Sequence, residues 1–147
     1  MIHLGVDLGG RRVGFAVSDA EERLAVPSGF AQVRSPADAL ASVLAKADGE
    51  GAGMVVLGNP LNLDGRPGPK AREASSFRDL LEAAGRGVVL WDERLTTSEA
   101  ERLLKDAGLG RRRRKQLVDA NAAQRILASY LEWKRRHLPP QAADGGG

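Results

Sequence analysis

Met54-Val-Val-Leu57 is an unbroken apolar run between Gly53 and Gly58. A strand with this pattern is one whose two faces are both covered. Val88-Val-Leu-Trp91 repeats it. Ile2 to Leu8 is different, with Ile2, Leu4, Val6 and Leu8 on one face and His3, Gly5 and Asp7 on the other. Gly9 and Gly10 turn this segment into Val13 to Ser18, so the two form a hairpin. Leu24 to Val33 makes a third extended segment, interrupted at Pro27. Ser35 before Pro36 supplies an N-cap and a first helical residue. The helix they start is predicted to reach about Lys46 and to end in the glycine-rich stretch Gly49 to Gly53. Gly58 to Pro69 is a loop, and Pro69 to Ala84 is helical. A short helix is expected from Ser98 to Lys105, capped by Thr96, Thr97 and Ser98 with Glu99 and Glu101 behind them. Gly108 to Gly110 breaks it, and a last helix spans about Arg113 to His137. The order β-β-β-α-β-α-β-α-α predicts an α/β domain, a mixed sheet with helices packed on it. Residues 1–138 form the domain, and 139–147, ending in three glycines, read as a disordered tail.

The chain has 147 residues, enough to bury a core without staples. It has no cysteine, which excludes disulfides and thiolate metal sites and suits the cytoplasm. The first residues read as a strand rather than a signal peptide, and no apolar stretch is long enough to span a bilayer. A membrane role is therefore not expected. The net charge is +3, but its distribution is uneven. Residues 1–108 carry 13 basic and 16 acidic side chains, whereas 109–147 carry 9 basic and 3 acidic ones. A basic end on an acidic body suits an anionic partner such as nucleic acid. The same count fits a solvated helix followed by a charged tail.

Three acids are predicted to meet at one edge. Asp7 ends the first strand beside a glycine turn, and open α/β sheets bind ligands outside the carboxyl ends of their strands. Asp92 and Glu93 hold the equivalent place after the last strand. Because strand neighbours face opposite ways, one of this pair is expected to be a solvated or capping group. Asp119, Ala123, Ile126 and Tyr130 follow helical steps on the sheet-facing stripe, with Ala122 and Ala123 small enough for close packing. A carboxylate on a packed face is costly unless paired or bound to a cation. Divalent cations would relieve the mutual repulsion of the three. Taken singly, Asp7 also fits a turn cap and Asp119 a helix-dipole partner.

Four stretches resemble the YqgF family, a RuvC-like group. Gly5-Val-Asp-Leu-Gly-Gly-Arg-Arg-Val-Gly-Phe-Ala-Val-Ser-Asp19 is similar to its opening hairpin, and Val55-Val-Leu-Gly-Asn-Pro-Leu-Asn-Leu-Asp-Gly65 to its strand and loop. Asp92-Glu-Arg-Leu-Thr-Thr97, followed by Glu99-Ala-Glu-Arg102, is similar to its most specific motif. Asp119-Ala-Asn-Ala-Ala123, with Ile126, Leu127, Tyr130 and Leu131, is similar to its final helix. The resemblance covers about Ile2 to Leu131. It implies an RNase H-like fold with sheet order 3-2-1-4-5. It also implies a catalytic and metal-binding set of Asp7, Glu93 and Asp119 around one or two Mg²⁺ or Mn²⁺ ions. The chain departs from the family pattern at Gly10, where Thr or Ser is common, and at Gly58-Asn59-Pro60. RuvC-like resolvases usually carry their second acid at the end of the fourth strand, where this chain has Asn59. That departure leaves the metal geometry open, including any contribution from Asp92.

The implied activity is metal-dependent phosphodiester hydrolysis. Its first expected role is 5′-end maturation of precursor 16S rRNA, and its second is Holliday junction resolution. Arg11, Arg12 and Arg94 are candidate phosphate clamps. Asn62 lies in a loop that could close on substrate. Arg111, Arg112, Arg113, Arg114 and Lys115 could hold a backbone through salt-sensitive contacts. Their alternative reading is a solvated helix start. His3 reads as structural. With aromatics at 4%, recognition of structured RNA or branched DNA should rest on shape and backbone. A symmetric resolvase would need a homodimer. Two rival readings are a non-catalytic nucleic-acid-binding module and an ATP-using enzyme, whose phosphate loop Asp7 to Gly14 resembles.

Overall fold

The computed structural model describes residues 1–95 and 122–138. The elements are β1 (His3–Leu8), β2 (Arg12–Ser18), β3 (Ala25–Gln32), α1 (Pro36–Glu50), β4 (Met54–Asn59), α2 (Pro69–Ala83), β5 (Val88–Asp92), a 3₁₀ turn (Glu93–Leu95) and α3 (Ala122–His137). The expected Ser98–Lys105 helix, the start of the last helix and the tail from Pro139 lie outside the described residues.

The five strands form one sheet in the order β3-β2-β1-β4-β5. β1 pairs antiparallel with β2, and β2 with β3. β1 with β4, and β4 with β5, are parallel. The mixed sheet and its order match the expectation. Pro27 lies inside β3 opposite Ala16, and the register shifts between Gly14 and Ala16. β3 is an edge strand, where a missing N–H is tolerated.

One strand end and one helix end stand out against the reading of the sequence. β4 runs on to Asn59 because its ladder with β5 continues through Gly58–Trp91 and Asn59–Asp92. α1 passes through Gly49 and stops at Gly51, which has φ 68°. There Ala52 N–H donates to Ala47 O at 2.9 Å, closing the helix end around a left-handed glycine. Gly49 costs helix propensity, about 1 kcal/mol, but Ala39, Val43 and Ala47 hold the helix face in the core. At the other end, Ser35 Oγ accepts from Asp38 N–H at 3.1 Å, and Asp38 accepts from Arg34 N–H at 2.9 Å. Ser35 thus caps the helix as the Ser-Pro start predicts, while Asp38 reaches back to the residue before the cap.

Strand alternation sorts the core into two layers. Leu4, Val6, Val13, Phe15, Val55 and Leu57 pack with Val43, Ala47, Phe77 and Leu81 of α1 and α2. On the opposite face, Ala16, Val56 and Trp91 pack with Ala123, Ile126, Leu127, Tyr130 and Leu131 of α3. α3 lies very close to the sheet. A Cβ on Gly5 would fall 2.8 Å from Leu127 Cβ and 2.9 Å from Ala123 O, so only glycine fits there. Among the described residues, no helix is long and apolar enough to cross a membrane.

Candidate active site

Asp7 continues the row His3, Gly5 on the α3 side of β1 and sits opposite Gly14 of β2. A Cβ built on Gly14 would lie 3.8 Å from Asp7 Cβ and 3.9 Å from Ala123 Cβ. Three small positions thus bring Asp7 against the described start of α3. On β4, Gly58 is buried. A Cβ there would meet Ile126 Cδ1 at 2.6 Å and Glu93 Oε2 at 2.8 Å. The Glu93 carboxylate therefore occupies the space that a side chain at residue 58 would fill.

Asp7 and Glu93 feel each other. The Glu93 carboxyl is pushed up to about 7, first by burial and then by the negative charge of Asp7. Arg125 on α3 opposes the shift and Asp92 adds to it. An acid shifted so far by burial and a like charge is characteristic of functional sites.

Asp92 has a different assignment. Trp91 packs on the α3 side, so alternation sends Asp92 to the other. There Arg94 Nε donates to Asp92 Oδ1 at 3.1 Å and Oδ2 at 3.0 Å, and Nη2 donates to Oδ2 at 2.7 Å. This pairing holds Asp92 below the usual carboxylate range. Arg94 Nη1 also donates to Leu63 O at 3.3 Å, tying the loop after β4 to the end of β5. Arg94, a phosphate-clamp candidate by sequence, is thus engaged with Asp92 and that loop. Within the loop, Asn62 N–H donates to Arg66 O at 3.0 Å and Gly65 N–H to Asn62 O at 2.8 Å, closing a turn with Gly65 at φ 85°.

Arg11 and Arg12 are exposed beside the β1–β2 turn. The Arg12 guanidinium lies over the Phe30 ring, 4.9 Å from its centroid. Asp119 and Arg111 to Lys115 lie outside the described residues. His3 is fully buried, its Nδ1 is 3.0 Å from Met1 O, and burial lowers its pKa. That environment is structural. Reasoning from sequence missed Arg125, although a cation one residue before Ile126 on the sheet-facing stripe was a visible signal.

Among the described residues, no three His, Asp or Glu side chains gather as a complete metal site. Asp7 and Glu93 nevertheless fit a hard divalent cation. Both offer carboxylate oxygens, and the raised Glu93 pKa reports a field that a cation would relieve. At the same sheet edge, Asn59 Oδ1 is buried with no hydrogen-bond partner among the described residues.

The sheet order, the direction of each strand pair and the helices on both faces define an RNase H-like α/β fold. RuvC of Thermus thermophilus, solved with a Holliday junction substrate, superposes with a TM-score of 0.63 at 17% identity, covering 92% of this chain and 96% of that one. A second Thermus thermophilus RuvC structure gives 0.55. Residues 1–133 match the family described as "RuvX: Holliday junction resolvase", and the chain belongs to that family. A relative from Desulforudis audaxviator is 41% identical over 133 residues, covering 90% of this chain and 94% of its own length. One from Pelotomaculum thermopropionicum is 39% identical over 145 residues, covering 97% and 92%. Both carry the name "Putative pre-16S rRNA nuclease".

Proposed function

We propose that this chain is a divalent-metal-dependent nuclease that matures the 5′ end of precursor 16S rRNA. The observation that carries the chemistry is the convergence of Asp7 and Glu93 on the α3 side of the sheet's carboxyl edge. There Glu93 is held near pKa 7 by burial and by its neighbour. The relatives' names carry the substrate.

Asp7, Glu93 and Asp119 would hold the cations, Mg²⁺ or Mn²⁺, two by the resemblance. Bound there, they supply an acidified water and neutralise charge on the phosphate. The protein's own part is positional. Gly14, Gly58 and Ala123 leave room for carboxylates between sheet and helix. Ile126 and the sheet keep bulk water from Glu93, so its Oε2 binds a proton or a cation more tightly than a solvated carboxylate does. Arg125 limits the repulsion between the acids. Arg94 orients Asp92 and the loop at residues 62–66. Arg11, Arg12 and the Arg111 to Lys115 run supply positive charge for the substrate backbone.

The family description favours a second reading, resolution of Holliday junctions, for which symmetric cutting of two strands would need a homodimer. Labelled precursor-rRNA fragments and four-way DNA junctions, offered with Mn²⁺ or Mg²⁺ to wild type and Asp7→Asn, separate the two. Metal-dependent cutting of the RNA that the mutant loses is the expected result. Preferential cutting of the junction would transfer the role to DNA. Binding without cutting would make the chain a non-catalytic module.

A further inference from the structure

A cavity of about 560 Å³ opens on the α1/α2 side of the same sheet edge. Its wall includes Leu8 and Gly9, directly after Asp7 in the chain, so it reaches the sheet edge that carries the acidic site from the opposite face. Ala39 and Phe77 are apolar lining, Arg34 and Arg72 add cations, and Ser76 and Leu80 contribute from α2. Glu73 also lines it, leaving the charged lining with one net positive charge. Arg34, Arg72 and Ser76 are exposed. Gly10 also lines it, and among the described residues no atom beyond its chain neighbours lies within 4 Å of where a Cβ would stand.

An apolar interior with cations at its rim suits a ligand with an apolar flat body and an attached anion. A cavity of this volume is in the range that takes a small organic ligand. Continuity with the edge that carries Asp7 says which such ligand is on hand, because the substrate strand must pass that edge. We propose that the cavity receives one unpaired nucleotide flanking the scissile phosphate, its base against Phe77 and Leu80 and its phosphate at Arg34 and Arg72. This rests on the nuclease reading and adds to it a preference for a locally single-stranded substrate. Removing a base from the stack costs little where the strand is already unpaired.

The test is fluorescence anisotropy in EDTA with the full chain. The probes are a fluorescein-labelled single-stranded RNA and the same strand with one abasic residue placed at each position in turn. Wild type is expected to show one position where loss of the base weakens binding about tenfold. Ser76→Trp, which fills the cavity from an exposed position, is expected to bind intact and abasic strands equally. Arg34→Glu should weaken both strands and lower the salt dependence. If Ser76→Trp does not fold, Leu80→Trp, at a residue 42% exposed, takes its place. No base-sensitive position, or sensitivity that survives the filled cavity, overturns the proposal. The readout needs neither metal nor cleavage. Failure of cleavage alone therefore strikes the nuclease reading, and failure of base discrimination alone strikes the cavity.

Discussion

On one face of the sheet, Leu4, Val6, Val13 and Leu57 meet Val43, Phe77 and Leu81 in an apolar layer. On the other, α3 packs over Gly5, Gly14 and Gly58, and two carboxylates sit at the edge of that contact. The first arrangement gains stability from buried area, at about 25 cal/mol per Å². The second gives up side-chain volume to bring a helix and two acids together. Its charges cost free energy that the α1/α2 layer offsets. The same sheet thus carries an apolar layer on one side and the paired acids on the other.

That contrast breaks most sharply at Asp7. Asp7→Asn should lower cleavage by about a thousandfold, roughly 4 kcal/mol of transition-state stabilisation, with the melting temperature unchanged or raised. A variant that unfolds would make Asp7 structural instead. Leu81→Ala, on the α1/α2 side, should cost about 2–5 kcal/mol of stability by denaturant titration. It should leave the turnover of the folded fraction intact, and a matching loss of kcat would contradict the division between faces.

Glu93→Gln sharpens the comparison through pH. The folded state holds the Glu93 proton to about pH 7, against 4.5 for the ordinary group. Stability associated with that proton is therefore present below about pH 4.5 and is lost as pH rises through about 7. The amide does not ionise, so the variant should be more stable than wild type at pH 8, by about 1–3 kcal/mol. The difference should vanish near pH 4. Equal stability of the two proteins across this range, measured by urea titration, would remove the buried-charge account. Added Mg²⁺ should narrow the gap at pH 8 by stabilising wild type only.

The smallest effect belongs to Arg94→Ala. Losing the bonds to Asp92 and Leu63 O should leave global stability almost unchanged, because Arg94 is exposed to solvent. The visible result should be a higher KM with faster proteolysis in the loop at residues 62–66. An unchanged proteolysis pattern would deny Arg94 its tie to that loop.

The strands and helices were legible because their signals are local. Unbroken apolar runs at β4 and β5, alternation in β1 and Ser35-Pro36 at α1 each act over a few residues. The end of α1 was misread because both Gly49 and Gly51 looked like stops. Only Gly51 sits where the main chain must turn left-handed, and buried Ala47 carries the helix past Gly49. Pro27 looked like a break, yet β3 accepts it as an edge strand. Placing Asp7 at a strand end and Ala123, Ile126 and Tyr130 on one stripe needed only periodicity. Arg125 was passed over because a charged residue beside an apolar stripe reads as solvated until its neighbours are known.

By itself the sequence determined the elements, their order and the acids that end β1 and follow β5, since propensity and periodicity operate along the chain. Periodicity could not choose between Asp92 and Glu93, which are adjacent and chemically alike, and only the family resemblance favoured Glu93. The tertiary structure separates them, with Trp91 packed on the α3 side and Asp92 paired with Arg94 on the other. Nor could the sequence supply the raised pKa of Glu93. That shift arises from burial and from the charge of Asp7, a residue far away in the chain that only the packed sheet brings near.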